Sequence, residues 1–250
     1  MARVDKESVL GKARLILGAF DAESPVLGLS ELARRTQLAK TTVLRLVTEM
    51  VQVGFLNRRG RRYELGPLLF ELGQRVQRTR QLRLIAARYL EDLARSTGET
   101  VVLAYAGDNE VLFLEKYFSR RGGGVTVTQV EGRVPFHCGA SGKALLAFGD
   151  AELRERILAA PLRRKTPWTI TDAAQLRAEL EKTRRQGFAV DRQELVVGFG
   201  AVSVPIMIGD LAAATLTVVG PISRIDVARL APEMIAVGRT LARDFQTAGF

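Results

Sequence analysis

The side chains best suited to chemistry fall in three places. Between residues 40 and 52, Thr41, Arg45, Thr48 and Gln52 recur at helical spacing, with Lys40 and Leu44 beside that face and Thr42 next to Thr41. At about 100° per residue they share a face opposite Val43, Leu46, Val47 and Met50, which fall at i, i+3, i+4 and i+7. Cations and hydroxyls suit phosphate oxygens, and Arg or Gln suits base edges. A little further on, Arg58, Arg59, Arg61 and Arg62 flank Gly60, so that four of five consecutive residues are arginine. The second place is the run His137-Cys138-Gly139-Ala140-Ser141-Gly142-Lys143, and the third is Asp191 with Glu194.

The second and third places fall short of a catalytic set. His137 and Cys138 are the only residues of their types, which excludes a disulfide within the chain and any multi-cysteine zinc site. Adjacent in an extended segment, they point to opposite faces, so packing roles fit better than a Cys-His nucleophile. Cys138 also lacks an obvious cation to lower its pKa. Gly142-Lys143 resembles the end of a phosphate-binding loop, but the first-glycine position is His137 and Ala144 follows the lysine. Lys143 is expected to front a short helical turn. Ser141 lacks the Gly-x-Ser-x-Gly elbow. Asp191 and Glu194, with Arg192 between them, are expected to be loop charges or ligand contacts rather than an acid–base pair. Trp168, beside Pro167, is expected to anchor a loop by packing. No cofactor, metal or enzymatic activity is expected.

The elements that must position the cationic face are legible. Ser30 can cap a helix whose first turn carries Glu31 and whose buried side is Leu32, Ala33 and Leu38. A three-residue turn leads into the 40–52 helix, and strands over 55–58 and 61–65 join across Gly60. Val9, Leu10, Ala13, Ile16, Leu17 and Phe20 predict an earlier helix, 21–28 a loop, and 1–8 a frayed terminus. Helix, turn, helix and basic hairpin make a winged helix-turn-helix. A small helical hairpin, an RNA-binding module or a protein-docking module is the rival reading.

The 250 residues allow one large domain or two, and the net charge of +10 favours a polyanionic partner. Residues 1–80 carry +7 of it and 81–250 only +3, so the basic excess lies with the helix-turn-helix. No apolar run reaches membrane-spanning length, and a cytoplasmic protein with no membrane partner is expected.

Beyond the wing, Gly66-Pro67 opens a linker helix over 67–80, followed by a helix over 82–96 with Leu82, Ile85, Ala86, Tyr89, Leu90 and Leu93 inward. Strands are predicted at 100–106, 110–118, 125–130, 188–191, 200–208 and 211–219, with a loop at 120–124. Helices are predicted at 139–148, 151–160, 172–186 and 225–245. Strands and helices do not alternate, so the fold expected is α+β with an antiparallel sheet. The domains predicted are 1–66, a linker over 67–81, and 82–250.

Four stretches in this order resemble the IclR family of bacterial transcription regulators. They are LSELARRTQLAKTTVLRLVTEMVQVGFL (29–56), VPFHCGASGKALLAF (134–148), QGFAVDRQELVVGFGAVSVPI (186–206) and LTVVGPISR (216–224). The resemblance implies a winged helix-turn-helix, a linker helix and a GAF-like effector domain, assembled as a homodimer or homotetramer on a roughly palindromic double-stranded DNA operator. It makes 40–52 the recognition helix and 58–62 the wing. It places a small-molecule effector, often a carboxylate or an aromatic catabolite, against Gly139, Ala140, Ser141 and Gly142 at a helix N-terminus. Asp191, Phe199, Ala201, Thr217 and Val219 match further pocket positions. Ala201 and Val219 stand where some carboxylate-binding relatives are more polar, which favours a larger, partly apolar ligand over a very small acid such as glyoxylate. An enzyme with a winged-helix docking module is the alternative, and it needs a catalytic constellation.

Overall fold

The computed structural model describes residues 8–21, 24–118 and 133–249, and of 77–79 the backbone alone. The expected frayed terminus over 1–8, the 120–124 loop and the 125–130 strand lie wholly or almost wholly outside the described residues. The chain divides into two compact units, residues 1–77 and 78–250.

In the first unit, α1 (Val9–Leu17) is capped by Ser8, whose hydroxyl accepts the Gly11 N–H at 3.0 Å. Its contribution to the core begins at Ala13. Val9 and Leu10, part of the spacing that predicted this helix, are exposed, Leu10 to 82%. The 21–28 segment, expected to be a loop, contains β1 (Val26–Gly28), too short to show an alternation of its own. Gly28 ends it in extended geometry and occupies the N-cap position of α2 (Leu29–Thr36). The helix therefore starts two residues early, and Ser30 lies in its first turn rather than capping it. Gln37, left-handed at φ 59°, turns the chain into α3 (Lys40–Gln52). Val43, Leu46, Val47 and Met50 are buried as their spacing requires, each contributing roughly 1.5–3 kcal/mol of apolar burial. Strands β2 (Leu56–Arg59) and β3 (Arg62–Leu65) pair antiparallel about Gly60, whose φ of +61° favours glycine. Strand β1 pairs with β3, so the wing has three strands.

The helix expected over 67–80 is two. Helix α4 (Pro67–Gln74) stops before Arg75 and Val76, and α5 (Gln77–Thr97) runs on through the expected boundary at 81. Gly73 weakens the end of α4, and Leu72 and Val76 are exposed, so no burial within the unit holds 75–76 helical.

The second unit is α+β. Its strands are β4 (Thr100–Ala106), β5 (Glu110–Tyr117), β6 (Arg133–Pro135), β7 (Ala189–Arg192), β8 (Phe199–Ile208) and β9 (Leu211–Pro221). They form one antiparallel sheet in the order β6-β5-β4-β9-β8-β7. The alternation of side chains along each strand feeds two cores. Val101, Leu103, Val202, Val204, Leu216 and Val218 pack with α5 and the closing helix α9 (Val227–Thr247). Val102, Ala104 and Val111 face the opposite way. They pack with α6 (Ala140–Phe148), α7 (Ala151–Leu158) and α8 (Ala173–Gln186). Asp172 caps α8, and Gly187, at φ +84°, ends it. Trp168 is not the packed anchor expected: it is 49% exposed, and the loop is instead held by the hydroxyls of Thr166 and Thr169.

Candidate functional site

The first unit presents a cationic surface. On α3, Thr41, Arg45, Thr48 and Gln52 are exposed opposite the buried stripe, with exposed Lys40 and half-buried Thr42 at its flanks. The Thr48 hydroxyl donates to the Leu44 carbonyl at 2.8 Å. Arg45 Nη1 lies 2.9 Å from Glu49 Oε1 in an exposed pair. Such a pair is worth about 0–1 kcal/mol, so the guanidinium can leave it for a base edge at little cost. On the wing, Arg58 Nε donates to the Gly60 carbonyl and Arg62 Nη2 to the Val26 carbonyl, while Arg59 pairs with Glu64 at 2.9 Å. Arg61 is exposed. The cations of α2 are used differently. Glu31 accepts from Arg34 and Arg35, which hold its carboxyl down at about 2, and Arg35 also ties down Asp21, Ser24 and the Ala19 carbonyl. The α2 cations are thus paired with carboxylates of the same unit, while Lys40 and Arg45 on α3 and the four wing arginines are exposed.

The second unit contains a cavity between the sheet and the N-terminus of α6. The enclosed space is small, about 50 Å³ open to the centre of a water-sized sphere, within about 570 Å³ of non-atom space that includes the open mouth. Gly139, Ala140, Ser141, Asp191, Phe199, Ala201, Thr217 and Val219 line it. Gly142 does not. A Cβ there would sit 2.1 Å from the Phe136 carbonyl oxygen, so this glycine serves close packing of α6 on the 3-10 turn at 136–138. The other lining residues are Val102, Phe113, Val134, Leu195 and Val196. Of these, Val102 could have been found from the alternation along β4.

Polar groups are few and ordered. Gly139, in extended geometry, starts α6 without a side-chain cap, which leaves its first-turn N–H groups to the cavity end. Ser141, Thr217 and Ser203 form a buried hydroxyl chain, each step 2.8 Å, with Ser203 donating on to the Leu216 carbonyl. Asp191 and Glu194, read from sequence as loop charges or ligand contacts, are both buried. Asp191 accepts the Glu194 N–H at 2.7 Å, and burial together with the Glu194 charge pushes its carboxyl up to about 7.

Lys143 does not front an exposed turn. It is wholly buried, with Nζ 2.6 Å from Glu194 Oε1 and 3.8 Å from Glu179 Oε1. It sits on the first full turn of an almost entirely buried helix, so its ammonium needed an internal partner. That partner lies on the 193–198 strap, which carries Leu195 and Val196 to the cavity wall. Thr169 and Thr166 hydroxyls hold the same strap at the Glu194 and Gln193 carbonyls, both at 2.7 Å. Sequence spacing offered no signal for a pair 51 residues apart.

His137 and Cys138 pack, as expected. His137 Nε2 lies 2.9 Å from the Arg163 carbonyl and so carries the proton, while burial lowers the ring pKa. Burial pushes the Cys138 thiol up to about 12, which leaves it unreactive.

Comparison with known proteins bears directly on both surfaces. Residues 9–60 match the family described as IclR helix-turn-helix domain, and residues 74–247 match Bacterial transcriptional regulator IclR C-terminal. The probable transcriptional regulator SauR of Cupriavidus necator is 33% identical over 225 residues, 88% of each chain. The HTH-type transcriptional regulator XynR of Escherichia coli is 30% identical over 229 residues, again 88% of each. The crystal structure of an IclR homolog from Microbacterium hydrocarbonoxydans complexed with 4-hydroxybenzoate superposes with a TM-score of 0.82. It is 31% identical and covers 95% of this chain and 100% of that one. These relatives are regulators of transcription rather than enzymes. The chain belongs to the IclR family of bacterial transcriptional regulators.

Proposed function

We propose that this regulator binds a small carboxylic acid with an apolar, ring-sized body in the cavity of its second unit, and that occupancy changes its affinity for its operator. The observation that carries this is the cavity itself. An uncapped helix N-terminus suits a carboxylate at one end, and Phe113, Phe199, Ala201 and Val219 offer an apolar surround for the rest. The 4-hydroxybenzoate bound by the Microbacterium homolog is an acid of this kind. Two- and three-carbon acids would leave most of that apolar wall against water.

In the same proposal the protein acts in the cytoplasm as a homodimer or homotetramer. Two copies of α3 enter successive major grooves of a roughly palindromic operator, with Lys40, Thr41, Thr42, Arg45 and Thr48 against the DNA. The wing arginines Arg58, Arg59, Arg61 and Arg62 hold phosphates. The segment over 67–81 carries the effector's influence toward residues 1–66, by biasing how the two DNA-binding units of a dimer are spaced.

The test is a thermal-shift screen of aromatic and short aliphatic carboxylates against the full-length protein. A ligand that binds only the folded state raises the melting temperature. Aromatic acids are expected to shift it and glyoxylate or pyruvate to leave it in place. Tight binding of the small acids with none of the aromatic ones would refute the ligand class.

A further inference from the structure

Asp191 stands on the wall of this cavity, only 6% exposed, and no cation lines the cavity among the described residues. Its charged neighbours can be taken element by element. The strap brings Glu194, α6 brings Lys143, and α8 brings Glu179 through its contact with Lys143. The 3-10 turn brings Cys138, held as a neutral thiol. The partners on β8 and β9 that line the cavity beside it, Ala201, Thr217 and Val219, bring no charge. Lys143 is already committed, its ammonium close to two carboxylates, and Glu194 Oε2 has no hydrogen-bond partner even so. Asp191 is thus a third acid around one cation. Backbone N–H groups of Glu194 and Leu195 and the Lys143 charge pull its carboxyl down, but burial and Glu194 outweigh them.

A ligand carboxylate entering the cavity adds a fourth. Two carboxylates sharing one desolvated site do not both ionise, and the proton is kept by one of them. We propose that Asp191 meets an incoming carboxylate as the protonated acid, so that a carboxylate ligand entering a cavity in which Asp191 is ionised carries one proton in with it. The Asp191 hydroxyl then donates a charge-assisted hydrogen bond to a ligand oxygen. Proton and anion enter that ionised cavity together, and its net charge is unchanged. The proposal rests on the cavity being the effector site, and adds that its response is tied to pH.

The sign follows from linkage. Above pH 7 the Asp191 carboxyl of the empty cavity is ionised and must be protonated on binding, so affinity falls as pH rises. Well below pH 7 it already holds the proton, and affinity levels off.

Calorimetric titration of the full-length protein with benzoate, 4-hydroxybenzoate and phenylacetate tests this, at pH 5.5 and 8 in paired buffers of different ionisation enthalpy. The difference in heat between the buffers counts protons. Expected are close to one proton taken up per ligand at pH 8, almost none at pH 5.5, and a dissociation constant rising about tenfold per pH unit between 7.5 and 8.5. Asp191→Asn should bind with no uptake at either pH and with pH-independent affinity. Binding at pH 8 without proton uptake by the unaltered protein overturns the proposal and leaves the effector site standing. No binding of any of the three acids at either pH overturns the carboxylate site and the proposal with it.

Discussion

Replacing Lys143 by Met keeps the stem in its buried channel and removes only the ammonium. Glu194 then loses its partner at 2.6 Å while its other oxygen, Oε2, has none to begin with. Breaking a buried ion pair from one side costs about 3–5 kcal/mol. Lys143→Met should therefore destabilise the second unit by about 3–5 kcal/mol at pH 7. Adding Glu194→Gln should recover about 2 kcal/mol or more at pH 7, since no charge is then left unpaired. The assay is urea unfolding at fixed protein concentration, followed by the fluorescence of Trp168. This is the chain's single tryptophan, on the loop whose Thr166 and Thr169 hydroxyls hold the Glu194 strap. A single variant within about 1 kcal/mol of the unaltered protein at pH 7 would refute the reasoning. So would a double variant no more stable than the single one.

Further outcomes are expected for five single substitutions. Arg45→Ala should relax base preference on the operator, read as a narrowed ratio of specific to non-specific affinity in anisotropy titrations; unchanged operator affinity would mean that α3 is seated in another register. Arg61→Ala should weaken all DNA alike and lower the slope of log affinity against log salt by about 1. Gly142→Ala should destabilise the second unit in thermal melts, because its Cβ would meet the Phe136 carbonyl at 2.1 Å. Gly139→Ala, where the nearest atom is a Leu195 methyl at 3.8 Å, should melt as the unaltered protein does. Asp191, with a carboxyl raised to about 7 from 3.8, contributes stability below pH 4 that is lost as pH rises toward 7. Asp191→Asn should therefore melt higher than the unaltered protein at pH 8, an advantage that disappears at pH 4.

Much of the first unit was legible because its code is local. The stripe Val43, Leu46, Val47 and Met50 and the cationic face opposite it need only the helical period. Strand β1 was not legible: three residues carry no period, and what makes them a strand is Tyr63 and its neighbours on β3, more than 30 residues away. The exposed Val9 and Leu10 show the limit of periodicity, which marks apolar faces but not what covers them. In the second unit, element types were readable from strand alternation and from capping residues such as Asp172 and Gly187. The resemblance pointed to eight residues that do line one cavity, and to Gly142, whose role is packing. The Lys143–Glu194 pair was missed because charge at a helix start reads as solvent-exposed by default. Only the burial of the whole helix, a tertiary fact, turns that lysine inward.

The most direct test joins the two units: titration of labelled DNA from immediately upstream of the protein's own coding sequence, with and without a saturating aromatic acid taken from the thermal-shift screen. It should be run on the unaltered protein and on Ala201→Leu, which fills the cavity. The unaltered protein should bind this DNA and change its affinity by about 5- to 150-fold on adding the acid. Ala201→Leu should bind the DNA equally well and ignore the acid. Failure to bind the DNA, or an equal response from Ala201→Leu, would contradict a regulator governed from this cavity.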